Sequence, residues 1–289
     1  FINEVFEGNE ELIHYVHTIL GYSITGEMQE QVVFFCFGTG QNGKTVLFEA
    51  MRDLLKDYAY SAPSSLFQRN TFSTASNDIA AIEFKRLLIS AETLSATKIN
   101  EQRMKKWSGG DEETARRLYS EYFSFHPSCK IWLYINHKPQ VEDDSFSFWR
   151  RVRLVPFNKA FKGENEDKGL KNKLRSELPA ILNWLVRGCS LWQEEGLEPT
   201  PESVIAATRD YQIENDMLAE FIYGACVEGE TYEVIASKMY KAYLVWAEGE
   251  QLKDKDVISR TAFGRRMGDK FQKVHKEDCL LYTSPSPRD

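Results

Sequence analysis

The sequence predicts an α/β fold with a parallel sheet covered on both faces, followed by a small, mostly helical domain. Two observations carry this. Four short β-prone apolar runs, residues 31–37, 86–91, 130–135 and 151–157, alternate with helical segments. A turn-rich stretch at 196–201, with Gly196, Pro199 and Pro201, then marks a change to helical periodicity alone.

The elements follow in order. Residues 9–20 place Leu12, Ile13, Val16, Ile19 and Leu20 on one face of a helix, which Gly21 is expected to end. Residues 31–37 are apolar throughout, as in a strand buried on both faces. A glycine-rich loop leads into a helix from Gly43 to about Asp57, and the Ser-, Thr- and Asn-rich stretch 61–78 reads as loop. The second strand, 86–91, stops before Glu92, and residues 111–120 are expected to be helical. The third strand, 130–135, stops before Asn136, and the fourth, 151–157, precedes two helices near 166–176 and 178–195. Beyond the linker-like stretch, 202–223, 231–249 and 258–270 carry helical periodicity. Residues 279–289 break with everything before them; they resemble a translated sequencing adapter or a disordered tail and are set aside. The expected organisation is a helical lead-in at 1–30, a core at 31–195, a second domain at 196–278 and this tail. The abrupt start without Met reads as a fragment.

Composition bounds the function. The 289 residues are 42% hydrophobic, enough for a sizeable core, and no apolar run is long enough to span a membrane. The net charge of −7 disfavours a protein that coats DNA through global basicity but leaves room for local basic patches. Cys36, Cys129, Cys189, Cys226 and Cys279 form no CxxC pair and no zinc-ligand spacing with His. Reduced core cysteines in a cytoplasmic protein are expected.

Residues 38–45, GTGQNGKT, match the P-loop pattern G-x-x-x-x-G-K-[ST], with an apolar strand before and a helix after. Glycines let consecutive backbone N–H groups turn inward, and the helix directs its positive end at an anion. Gly38, Thr39, Gly40, Gln41, Asn42 and Gly43 would cradle the phosphates of ATP. Lys44 would reach the terminal phosphates, and the Thr45 hydroxyl would ligate Mg²⁺. Glu92, at a strand end, suits a Mg²⁺-water or lytic-water carboxylate, although strands also end on acids for solvation. Asn136 suits a γ-phosphate sensor or a plain turn before Pro139. Arg150 and Arg151 suit an arginine finger or a solvated cluster. Lys105, Lys106 and Trp107, with Arg116 and Arg117 following, suit nucleic-acid tracking and base stacking, or a tight turn around a half-buried Trp.

Taken together and in this order, the motifs resemble the superfamily III helicase domain of phage and plasmid primase-helicases, the poxvirus-type primase C-terminal family. Residues 38–45 correspond to its Walker A, 85–92 to Walker B, 105–111 with Ala115 and Arg116 to motif B′, 130–139 to motif C, and 148–157 to the arginine-finger segment. Ser108 stands where Thr is commoner, and 143–147 lack a glycine often seen before the finger. The resemblance implies an AAA+-like core that assembles as a ring, usually a hexamer, with ATP and Mg²⁺ between subunits. Lys44, Thr45, Glu92 and Asn136 would then come from one subunit and Arg150 or Arg151 from its neighbour. Lys105 and its neighbours would face single-stranded DNA in the channel. The C-terminal region resembles a winged helix, with Arg260, Arg265 and Arg266 on a basic helix suited to DNA.

The function expected is that of an ATP-dependent DNA helicase from a phage or plasmid primase-helicase, acting in the cytoplasm of a bacterial host. The rivals are a P-loop ATPase that remodels or loads proteins, and an inactive origin-binding module.

Overall fold

Each residue of Val33–Phe37 (β1) is apolar because the strand has two interiors to fill. Side chains alternate across a sheet, so Val33 and Phe35 enter one buried cluster and Phe34 and Cys36 another. In the computed structural model β1 lies inside a five-stranded, all-parallel sheet. The order is β2 (Ala59–Ser61), β3 (Leu87–Ala91), β6 (Lys130–Ile135), β1, β7 (Val152–Pro156). Residues 1–69, 76–91, 98–141, 145–163, 166–252, 257–276 and 279–287 are described. The chain divides into two units, Phe1–Asn215 and Asp216–Asp289.

In the first unit, helices α1 (Ile2–Val5), α2 (Glu10–Ser23), α3 (Lys44–Leu55), α7 (Leu170–Ser176) and α8 (Leu178–Glu195) build around one face of the sheet. Asn9 caps α2 by accepting from the Leu12 N–H at 3.0 Å. Gly21 does not end this helix, which runs on to Ser23. It lies instead where α2 crosses α8. A Cβ on Gly21 would stand 2.1 Å from the Gly188 carbonyl carbon, and one on Gly188 would stand 2.3 Å from the His17 carbonyl oxygen. Backbone blocks backbone here, so no side-chain rotation relieves the clash. Gly188→Ala should destabilise the fold by about 2–3 kcal/mol through forced separation of the helices. Chemical denaturation checks this; an unchanged midpoint would show that the crossing adapts.

The opposite face is covered by the helices α4 (Ser76–Ala80), α5 (Glu101–Ser108), α6 (Phe146–Trp149) and α9 (Glu202–Asn215), with Trp107, Trp149 and Tyr211 in its core. Residues 111–120, expected to be helical, are instead half of a hairpin: β4 (Glu113–Arg116) pairs antiparallel with β5 (Tyr122–Phe125). Gly109 and Gly110, the latter at φ +72°, stop α5. The hairpin then buries only alternate residues, Ala115 and Phe125 among them.

The linker-like composition of 196–201 does not separate the units. Leu197 and Pro201 are buried, and α9 docks on edge strand β7. There the Thr208 hydroxyl accepts from the Leu154 N–H at 2.9 Å, satisfying an edge donor. The division therefore falls after Asn215 rather than at 196.

Lys130 opens β6 with its ammonium buried, donating to the Thr25 carbonyl at 2.6 Å and lying 4.4 Å from the Tyr22 ring centre. Burial, with Arg86 adding to it, holds its pKa down to about 7, against a partial counter-effect from Cys129, Glu27 and Cys189. The unfolded chain keeps this proton up to the ordinary lysine value. Between pH 7 and about 10 it binds more protons than the folded chain, so this group makes stability rise with pH. Lys130→Met should flatten that rise and raise the melting temperature at pH 7. Melts at pH 7 and 9 check it, and a slope unchanged by the substitution would exclude Lys130 as its source.

The second unit contains α10 (Met217–Ala225), α11 (Ala236–Gly249) and α12 (Arg260–Lys270). Their core gathers Phe221, Met239, Tyr243, Phe263 and Met267. Part of the stretch expected to be helical at 231–249 is strand β8 (Cys226–Ile235). Residues Cys279–Pro287, set aside above as adapter-like sequence or a disordered tail, form strand β10, which lies between β8 and β9 (Lys273–Lys276) in an antiparallel sheet. Ser259 caps α12, accepting from the Ala262 N–H.

Candidate active site

In a parallel sheet the chain leaves every strand at the same end, and ligands collect there. The loop of residues 38–45 leaves β1 at that end, and three observations define its geometry. Gly40, Gln41 and Gly43 adopt positive φ values of +107°, +53° and +84°; at 42–43 a residue of negative φ precedes one of positive φ, the pairing that turns neighbouring N–H groups toward an anion. The loop is clamped from outside: the Asn42 side-chain amide donates to the Lys159 carbonyl at 2.8 Å, and Phe161 N–H donates to the Gln41 carbonyl at 2.8 Å. Gly38 admits no side chain, since a Cβ there would stand 2.5 Å from the Phe157 carbonyl oxygen.

Lys44 is buried at the first position of α3, and its ammonium donates to the Gly38 carbonyl at 2.6 Å. Its charge is thus directed back over the loop rather than into solvent. The Asn42 Oδ1 is buried without a hydrogen-bond partner among the described residues. Thr45 is exposed on the first turn of α3. The donor set fits a polyphosphate: a backbone nest, a helix N-terminus, one buried ammonium and one reachable hydroxyl. Among the described residues no cluster of three His, Cys, Asp or Glu could hold a metal by itself. A Mg²⁺ here would be held by Thr45 together with phosphate oxygens, the arrangement that P-loops use.

The neighbouring strand ends bring the other candidates into relation. Ile135 is the register partner of Phe37, and its carbonyl accepts from the Gly38 N–H at 3.2 Å. Asn136, the exposed next residue, therefore stands level with the start of the loop. Strand β3 ends at Ala91, opposite Tyr134 of β6. Glu92 lies outside the described residues.

Arg150 and Arg151 are elsewhere. They precede Val152, whose register partner is Val33, so they stand at the end of the sheet opposite the P-loop. Both reach the Gln31 side-chain oxygen, Arg150 at 2.6 Å and Arg151 at 3.3 Å. Arg151 is half-buried and also donates to the Ser147 carbonyl, whereas Arg150 is exposed. Burial, then the neighbouring Arg150 charge, lowers the pKa of Arg151.

The basic and aromatic candidates divide in the same way. Trp107 is fully buried on helix α5, with its indole N–H donating to Glu113 at 2.6 Å, so it has no face for a base. Lys106 pairs with the same carboxylate at 3.1 Å, and Lys105 is half-buried beside it on α5. Arg116 is exposed on the hairpin, its guanidinium 5.1 Å from the Tyr122 ring centre. Arg117 pairs with Glu83. One exposed aromatic surface is at the hairpin tip: Tyr119 is 98% exposed at φ +60°, with Leu118 and Tyr122 also exposed. Tyr119 was not among the sequence candidates; its signal was an aromatic two residues after an Arg pair and just before a Ser. On α12, Arg260 and Arg265 are exposed and Arg266 is half-buried.

A family of unknown function, DUF5906, matches residues 36–151, the segment that holds the loop, Asn136 and the arginine pair. Three viral proteins are similar. "Putative helicase L207/L206" of Acanthamoeba polyphaga mimivirus is 27% identical over 74% of this chain and 24% of its own length. "Putative helicase 022R" of Frog virus 3 is 26% identical over 78% and 25%. "Putative helicase V13" of Sputnik virophage is 26% identical over 55% and 21%. The chain thus spans about a quarter of the length of the relatives it matches. Among solved structures, the apo NrS-1 C-terminal region aligns with a TM-score of 0.60 at 12% identity, over 93% of this chain and 59% of that one. A second NrS-1 structure, covering its residues 305–718, also gives 0.60, at 11% identity over 99% and 74%. The fold is therefore that of the NrS-1 C-terminal region, and in sequence the chain is similar to viral proteins named as helicases.

Proposed function

We propose that this chain is the motor part of an ATP-dependent DNA helicase of the superfamily III kind, one that hydrolyses ATP between the subunits of a ring and moves along single-stranded DNA. The observation that carries the proposal is the division of the site. The phosphate-binding loop and Asn136 share one end of the sheet, while the arginine pair occupies the other. Such a chain holds half a site at each end, and a head-to-tail ring joins unlike halves. The helicase names of the viral relatives support the same reading and favour a viral replication protein over the phage or plasmid setting.

In this mechanism Lys44 and the loop N–H groups neutralise the terminal phosphates, and Asn136 orients the attacking water. Mg²⁺, held through Thr45, would draw charge from the bridging oxygens. Glu92 is assigned the water-activating carboxylate. The hairpin tip, with Tyr119 and Arg116, is the stacking and backbone contact for single-stranded DNA, and Arg260 and Arg265 on α12 offer phosphate contacts.

A forked duplex with a labelled strand tests this. ATP- and Mg²⁺-dependent displacement, with hydrolysis stimulated by single-stranded DNA, is expected. Hydrolysis stimulated by a protein partner, with no displacement, would instead support a protein-remodelling ATPase.

A further inference from the structure

Gln31, just before β1, is half-buried and holds φ at +52°. That left-handed conformation costs a residue with a Cβ, and a glycine would adopt it freely. Strain of this kind persists only where the surroundings fix it. Here the Gln31 N–H closes a turn onto the Met28 carbonyl at 3.1 Å, and the Val33 N–H donates to the Arg151 carbonyl at 2.8 Å. The Gln31 side chain is thereby set beside the arginine segment, where its Oε1 accepts from Arg150 at 2.6 Å and from Arg151 at 3.3 Å. The Arg153 guanidinium in turn donates to the Arg150 carbonyl at 2.8 Å. Arg150 is thus held both at its backbone and at its tip.

The two tips meet different acceptors. Arg153 meets a carboxylate, that of Glu198, at 3.2 Å. Arg150 meets a neutral amide, and among the described residues no carboxylate pairs with it. A carboxylate would orient the guanidinium but also neutralise it, in a bidentate pair that an incoming phosphate would have to break. An amide oxygen orients it and leaves its charge whole. We infer that Gln31 is a positioning residue for Arg150, holding the guanidinium in place without neutralising it, so that a phosphate bound by a neighbouring subunit can take it. The inference rests on the finger reading given under the proposed function.

Two substitutions of nearly equal size test it. Gln31→Met keeps the length of the side chain and removes the acceptor. Gln31→Glu keeps the acceptor and adds a charge. In steady-state ATP hydrolysis kcat should fall roughly tenfold in Gln31→Met and further in Gln31→Glu. KM for ATP should stay near wild type in both, because the loss is confined to the transition state. In an Arg150→Ala background neither change should lower kcat further. Melting curves show that each variant is folded. Wild-type kcat in either variant overturns the inference. So does an equal loss in the Arg150→Ala background, which would mean that Gln31 acts through something other than Arg150. Arg150→Ala alone is the control for the underlying reading. If it turns over as wild type does, the finger reading fails and the inference falls with it; a disabled Arg150→Ala beside unaffected Gln31 variants sinks the inference alone.

Discussion

Lys44→Ala should lower ATP turnover by roughly 10²–10³-fold, the usual cost of removing one preorganised donor from developing transition-state charge. The geometry argues for so large an effect. The Lys44 ammonium is buried and stands over the loop, 2.6 Å from the Gly38 carbonyl. A charge placed there in a water-poor site acts far more strongly than one on the surface. Lys44→Arg should restore little, because a planar guanidinium cannot occupy the slot of a compact ammonium whose loop is pinned by Asn42 and Phe161. Steady-state hydrolysis at saturating ATP, beside a melting curve, separates lost chemistry from lost fold. Near wild-type turnover in a folded Lys44→Ala protein would remove Lys44 from the catalytic machinery.

The sheet and its P-loop were legible because their signals are local. A strand buried on both faces must be apolar at every position, and the nest needs glycine at defined spacings, so 31–45 announced itself without tertiary information. The β4–β5 hairpin did not. Ala115, Arg116, Arg117 and Leu118 carry ordinary helix formers, and only packing of Ala115 and Phe125 into the core overrides that preference. Gly21 misled for a related reason: a glycine near a helix end is read as a stop, whereas this one serves close approach to Gly188. Trp107 illustrates the limit for function. A tryptophan flanked by lysines and glycines looks like a stacking platform in sequence, yet its indole is committed to Glu113 inside the core. Tyr119, an aromatic that is presented instead, owes its exposure to the turn geometry of the hairpin, which no composition of neighbours encodes.

The arginine pair gives the second large effect, and topology sets how it would have to act. Between Val33↔Val152 and Phe37↔Pro156 lies the full length of a five-residue strand. At about 3.3 Å per residue the four steps span roughly 13 Å, more than an arginine side chain can bridge. Any action on a γ-phosphate must therefore cross to a neighbouring subunit. Of the two, Arg150 is exposed, while Arg151 is half-buried and tied to the Ser147 carbonyl. Arg150→Ala should lower turnover by about 10³-fold or more, as loss of a finger does, and leave stability near wild type; Arg151→Ala should cost stability first. The decisive experiment mixes two inactive proteins, Lys44→Ala and Arg150→Ala. In a head-to-tail ring, a site between an intact Lys44 and an intact Arg150 re-forms at about a quarter of interfaces in an equal random mixture. Hydrolysis should then reappear on mixing. Mixed rings that assemble but stay inactive would mean that Arg150 does not act across the interface, and the division of the site between the two ends of the sheet would lose its functional meaning.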